Sequence, residues 1–132
     1  MLIGPLFTTR SKVELRRRSL ANPGRLAAAG IEISIITDHP VVPINFLVHQ
    51  ATLAVKEGLD RETALRAITI NPARVLGLAD RIGSVAVGKD ADLVLWSGDP
   101  LDVMHRARRV FIGGREVYHY DDIARVGVVT PH

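Results

Sequence analysis

No cysteine occurs in the 132 residues, which excludes disulfides, thiolate metal sites and cysteine nucleophiles together. No apolar run reaches about 18 residues, so no segment is long enough to cross a bilayer as a helix. The opening Met1-Leu2-Ile3-Gly4-Pro5 has no basic region ahead of a long apolar one. It is not a secretory signal, and the cytoplasm is the expected compartment. The histidines show neither an H-x-H pattern nor an i, i+4 pair, so two-histidine metal motifs are missing. Aromatic residues are scarce, at 5%, and no repeat or low-complexity segment is visible.

What is present is the balance of an ordinary globular chain, 47% apolar and 23% charged. A domain of this size can bury roughly two-thirds of the surface its unfolded form exposes, enough for a core. The net charge of +3 is carried largely by Arg10, Lys12, Arg16, Arg17, Arg18 and Arg25, relieved only by Glu14. With no aromatic residue interleaved, this stretch offers no stacking surface for single strands and reads as a solvated face. Neither nucleic acid nor membrane is an expected partner.

Residues 2–7 read as a short buried strand weakened by Gly4-Pro5. One or two helical turns are expected over 13–18. Asn22-Pro23 is a helix-start signal for a helix over 24–29, which Gly30 closes. Residues 31–37, rich in isoleucine and nearly continuous in apolar character, suit a parallel strand covered on both faces. That strand ends at Asp38-His39-Pro40. Ile44, Leu47, Val48, Ala51 and Val55 are spaced as the inner stripe of a helix over 44–56. Asp60 caps another helix, with Ala64, Leu65 and Ile68 facing inward, and Asn71-Pro72 restarts a last one over 73–76.

After Gly77 the character changes. Short strands are expected over 82–87, 92–96, 109–112 and 116–120, the last two joined by a tight Gly113-Gly114 hairpin. The chain therefore divides into an α/β part over 1–78, a small β part over 79–120 and an unassigned tail over 121–132. A lone strand–helix–strand unit leaves a parallel edge open.

Two features invite a chemical reading. Gly83-Ser-Val-Ala-Val-Gly88-Lys89 fits G-x-x-x-x-G-K, the start of a phosphate-binding loop. Such a loop continues with Ser or Thr and then a helix. Here Asp90 follows, then the β-rich Leu93-Val94-Leu95-Trp96, so the match is accidental and the glycines belong to turns. The second feature is Asp38, at the carboxyl end of the strongest strand, where catalytic groups of α/β folds gather. A carboxylate there can bind a metal, take a proton from water or cap the turn before Pro40, and position alone leaves the three open. His39 beside it points to the opposite side of an extended chain.

A longer pattern joins these pieces: Asn71-Pro72-Ala73, then Gly83-Ser84, Gly88-Lys89, Ala91-Asp92-Leu93-Val94, and a closing Gly113-Gly114-Arg115-Glu116-Val117. In that order it resembles the C-terminal end of the metal-dependent amidohydrolase superfamily, in the branch near imidazolonepropionase. The resemblance runs from about residue 2 to 118. It implies a partial (β/α)8 TIM-barrel end followed by a small β-sandwich portion, within the α/β class. Residues 2–7 and 31–37 would be the seventh and eighth barrel strands.

The same resemblance implies that Asp38 binds a catalytic divalent metal, zinc foremost, and acts as general base. The activity implied is hydrolysis of C–N bonds in a small cyclic amide or related substrate. The family's H-x-H, its bridging lysine or glutamate and its two later histidines have no counterpart here. One aspartate falls short of the roughly three protein ligands a catalytic zinc needs. The chain is therefore expected to correspond to the C-terminal third of such a hydrolase, to carry no stoichiometric metal and to be inactive alone. Its expected partners are a second copy or a missing N-terminal part. The rival reading is a non-enzymatic scaffold or oligomerisation module. No substrate-binding residue is identified.

Overall fold

The computed structural model describes residues 1–7 and 17–130. Arg10, Lys12 and Arg16, and most of the turn expected over 13–18, lie outside those residues. β1 (Leu2–Ile3) and β2 (Ser34–Ile35) form a parallel pair. Between them runs α1 (Asn22–Ala28), and after them α2 (Leu47–Lys56), α3 (Arg61–Ala67) and α4 (Ile70–Val75). A four-stranded antiparallel meander follows: β3 (Leu93–Trp96), β4 (Ala107–Ile112), β5 (Arg115–Asp121) and β6 (Val126–Val129). No helix among the described residues is long and apolar enough to cross a membrane.

The parallel strands are shorter than the apolar run 31–37 suggests, because a strand lasts only as long as its partner. Ser34 N–H donates to the Met1 carbonyl at 2.8 Å and Ile36 N–H to the Ile3 carbonyl at 3.0 Å. The next rung would need an N–H from residue 5, and proline has none. Ile33, Ser34 and Ile35 are nonetheless almost fully buried. Ile33 and Ile35 pack with Ala51, Ala54, Ala64 and Ala67 of α2 and α3, and with Leu6, Leu59 and Leu101. Each isoleucine contributes roughly 1.5–3 kcal/mol by burial. The small alanines let the helices approach the strand closely.

The helix ends show which sequence signals operate. α1 closes as expected on Gly30, whose φ of 78° lets its N–H reach Ala27 while Ile31 N–H reaches Leu26. Asp60 caps α3 through Thr63 N–H at 2.9 Å, and that bond holds its carboxyl below the ordinary range. Asn22 and Asn71 do not cap. Asn22 lies inside α1 and donates to the Arg17 carbonyl; Asn71 lies inside α4 and is buried. The expected inner stripe of α2 loses only its first member, since Leu47, Val48, Ala51 and Val55 lie in the core or pack against it. Ile44 sits in a 3-10 turn, 67% exposed, while Gln50, Ala51 and Ala54 face the core.

In the β part, strands expected over 92–96, 109–112 and 116–120 form as β3, β4 and β5. Gly113 and Gly114, at φ 56° and 78°, make the primed turn that matches strand twist. Residues 82–87 are not a strand; they run irregularly, with Val85 and Val87 fully open to solvent. Among the described residues no neighbouring strand lies along them to complete a ladder. The stretch after Asp122 adds β6, which pairs with β5 from Tyr118↔Val129 to Asp121↔Val126. The meander is a single layer, so the second sheet of a sandwich is not formed by the described residues.

Candidate functional site

The carboxyl ends of β1 and β2 form one rim, made of Gly4-Pro5-Leu6-Phe7 and Ile36-Thr37-Asp38-His39-Pro40. β1 passes so close to β2 that a Cβ on Gly4 would sit 2.0 Å from the Ile36 carbonyl oxygen. Only glycine fits there. Past Thr37, which is buried, the chain emerges into solvent at Asp38.

Asp38 adopts φ 53°, in the left-handed region that side-chain-bearing residues seldom occupy. The turn there is closed by its backbone, whose carbonyl accepts from Val41 N–H at 2.9 Å. No hydrogen bond or ion pair engages its carboxylate among the described residues. The contrast with other aspartates is informative. Asp60 caps a helix; Asp92 accepts from Gly113 N–H at 2.8 Å; Asp90 pairs with Arg81; Asp99 pairs with Arg61; Asp122 pairs with Arg108. A turn-capping role for the Asp38 side chain, one of the three left open by position, is not what the geometry shows. A carboxylate on a strand rim, with no partner among the described residues, can accept a proton or ligate a cation.

The histidines are scattered. His39 is exposed beside Asp38; His49 lies against the Phe46 ring with centroids 5.3 Å apart. His105 Nδ1 is 3.2 Å from Ser97 Oγ, and His119 pairs with Glu116 at 3.4 Å. His132 lies outside the described residues. No group of three His, Asp or Glu able to hold a metal forms among the described residues. An open, polar cleft of about 500 Å³, lined by Ser97, Met104, Arg106, Arg108, Tyr120, Asp122 and Arg125, does not include Asp38.

The motif residues are clamps. Asn71 Nδ2 donates to the Ile33 carbonyl at 2.8 Å, tying α4 to β2. A Cβ on Gly83 would meet the Ala73 Cβ at 2.8 Å, so the glycine lets the irregular segment lie against α4. Lys89 Nζ is spent on the Ala79 carbonyl at 2.5 Å and Ser84 Oγ at 2.7 Å, which leaves the G-x-x-x-x-G-K match no phosphate role. Asp92 fixes the Gly113-Gly114 turn.

Sequence reasoning did not single out Gln50, fully buried, with Oε1 accepting from Leu6 N–H at 2.5 Å and Nε2 donating to the Ile36 carbonyl at 3.1 Å. The available signal was an amide on a helix face otherwise made of Leu47, Ala51 and Ala54.

Helices packed on a parallel strand pair, with Asp38 exposed on its carboxyl rim, define an α/β protein. The chain belongs to the amidohydrolase family, which it matches over residues 8–124. It falls in the imidazolonepropionase-like branch. It is 42% identical to the imidazolonepropionase of Thermoplasma acidophilum over 82 residues, covering 59% of this chain and 20% of that one. With the imidazolonepropionase of Aromatoleum aromaticum it shares 35% over 121 residues, covering 84% of this chain and 29% of that one. The crystal structure of an amidohydrolase from Thermotoga maritima MSB8 superposes with a TM-score of 0.86 at 45% identity, covering 89% of this chain and 31% of that one. The chain thus spans less than a third of these relatives.

Proposed function

We propose that this chain supplies part of a hydrolase that cleaves C–N bonds in a small cyclic amide, with Asp38 as its general base. The carrying observation is the Asp38 carboxylate, exposed on the strand rim and engaged by no hydrogen bond or ion pair among the described residues, in a chain of this family. In this role one carboxylate oxygen takes a proton from attacking water and returns it to the departing nitrogen. Imidazolonepropionate-like rings are the substrate class to which the named relatives point. In the same reading, residues 2–7 and 31–37 close a (β/α)8 barrel, and β3–β6 form one layer of a small sandwich. The Thermotoga maritima superposition, which spans 31% of that chain, supports it.

The divalent metal that family likeness implies, zinc foremost, does not fit the described residues of this chain, because Asp38 is one candidate ligand and no group of three His, Asp or Glu able to hold a metal forms among them. The chain's own contribution is a carboxylate and the rim that carries it.

The test is a chimera in which this chain replaces the matching portion of the Thermotoga maritima amidohydrolase. Asp38→Asn in that chimera should lower kcat about 10²–10⁴-fold. A loss smaller than about fivefold would remove the general-base role.

A second reading, association with a second copy, is favoured by one specific observation. Ser34 and Ile36 face β1 in the ladder, so Ile35 turns its own N–H and C=O to the outer edge of the pair. Sedimentation at micromolar concentration separates the readings: a two-fold dimer supports association, and a stable monomer removes it.

A further inference from the structure

We propose that Gln50 is a positioning residue that sets where the Asp38 carboxylate stands, an inference that rests on the reading of Asp38 as the working group. The argument starts from the missing rung. In the parallel ladder the Ile36 carbonyl should receive the N–H of residue 5, and Pro5 has no N–H to give. A part-buried carbonyl left without a partner would be costly. Gln50 Nε2 supplies the absent donor at 3.1 Å. Its Oε1 takes the Leu6 N–H, the first backbone donor after the proline, at 2.5 Å.

One side-chain amide thus stands in for a ladder rung. Both of its ends are used, and its orientation is fixed because a backbone N–H can meet only the oxygen and a carbonyl only the nitrogen. The amide is wholly buried and held by α2, which packs on β2. Gly4, without a Cβ, lets β1 come close enough for the bridge to span both strands.

Asp38 lies two residues beyond the Ile36 carbonyl, and only buried Thr37 intervenes. The spread of the two strand ends, and so the start of the Asp38–Val41 turn, is set by the length of the Gln50 side chain. The sheet itself sets nothing past Ile36. A residue that merely filled volume could be methionine; a residue that positions the rim needs both ends of the amide.

The experiment compares the full chain with Gln50→Met, which keeps size and removes both hydrogen bonds, by NMR. Leu6 amide exchange should accelerate at least tenfold. The Asp38 carboxyl and Val41 amide resonances should shift, while Ala64 and Ala67 amides in α3 keep theirs. Unchanged Asp38 and Val41 resonances would overturn the proposal. If Gln50→Met fails to fold, Gln50→Glu keeps the acceptor for Leu6 and removes the donor to Ile36. Movement of the same two resonances then supports the proposal, and their constancy overturns it. These readouts report position whether or not Asp38 meets a substrate, so the Asp38→Asn kinetics can fail independently.

Discussion

The α/β part and the β meander are joined in one chain but are stabilised by different means. Residues 1–78 bury Leu6, Ile33, Ile35, Ala51, Ala54, Leu59, Ala64 and Ala67 as a continuous core. Beyond Ala73 the one buried residue among those described is Leu101, and it packs into that same core. The meander has no buried side chain on either face. Its strands are held by ladder bonds, by the ion pairs Arg108–Asp122 and Arg109–Glu116, and by Arg106 stacked 4.6 Å over the Tyr120 ring. Sheets of this kind are marginal alone. Antiparallel pairing can form around a good hairpin without a core, whereas the parallel pair here exists only because helices cover it.

Truncations of similar size in the two parts probe this difference most strongly. Ile33→Ala should cost about 2–5 kcal/mol in denaturant unfolding. Val94→Ala, at 46% exposure, should cost no more than about 0.5 kcal/mol. Equal costs would break the comparison, since they would mean that the sheet has a covered face in solution. Next in size is Asn71→Ala, which leaves the buried Ile33 carbonyl without its donor and should cost about 1–3 kcal/mol. Ion pairs should matter less. Arg61→Ala removes the partner of Asp99, a link between α3 and the β3–β4 loop, and its effect should shrink further when salt is added.

The smallest effect is with pH. Asp60, Asp99 and Asp122 are all held below the ordinary carboxylate range, by Thr63 N–H, Leu101 N–H and the Arg108 hydrogen bond respectively. Their contribution is complete above the unfolded value of about 3.9 and fades as pH falls through their lower folded values. Asp60 and Asp122 are exposed and Asp99 is partly so, and screening keeps the contribution modest. The unfolding midpoint should stay flat from about pH 7 to 5 and decline below about 4. A midpoint that rises on acidification would contradict the depressed carboxyls.

Local signals were legible in the sequence where a few neighbouring residues decide the outcome. Gly30, Asp60 and the Gly113-Gly114 turn behave as their chemistry predicts. The misses have a common cause, which is dependence on distant partners. Val85 and Val87 alternate like a strand, but a strand is a property of pairs. β6 was hidden because Gly127 lowers its strand character, and the Tyr118 ring leans over that glycine, 2.5 Å from where a Cβ would stand. Asn71 carries a helix-start pattern and is instead recruited by a carbonyl 38 residues away. Asp38 was visible by its place after the strand; that no described residue engages its carboxylate required the structure.

Two amides from different helices grip the same strand three residues apart, Asn71 at the Ile33 carbonyl and Gln50 at the Ile36 carbonyl. The strand therefore has a single permitted register. A slip of one residue would turn Ile33 and Ile35 to the opposite face and aim both amides at the wrong side of the backbone. A slip of two restores the faces but carries both carbonyls roughly 6.6 Å along the strand, beyond reach of either side chain. Lengthening or shortening the turn between α1 and β2 should thus be absorbed in the turn, around Gly30, and leave the position of β2 unchanged.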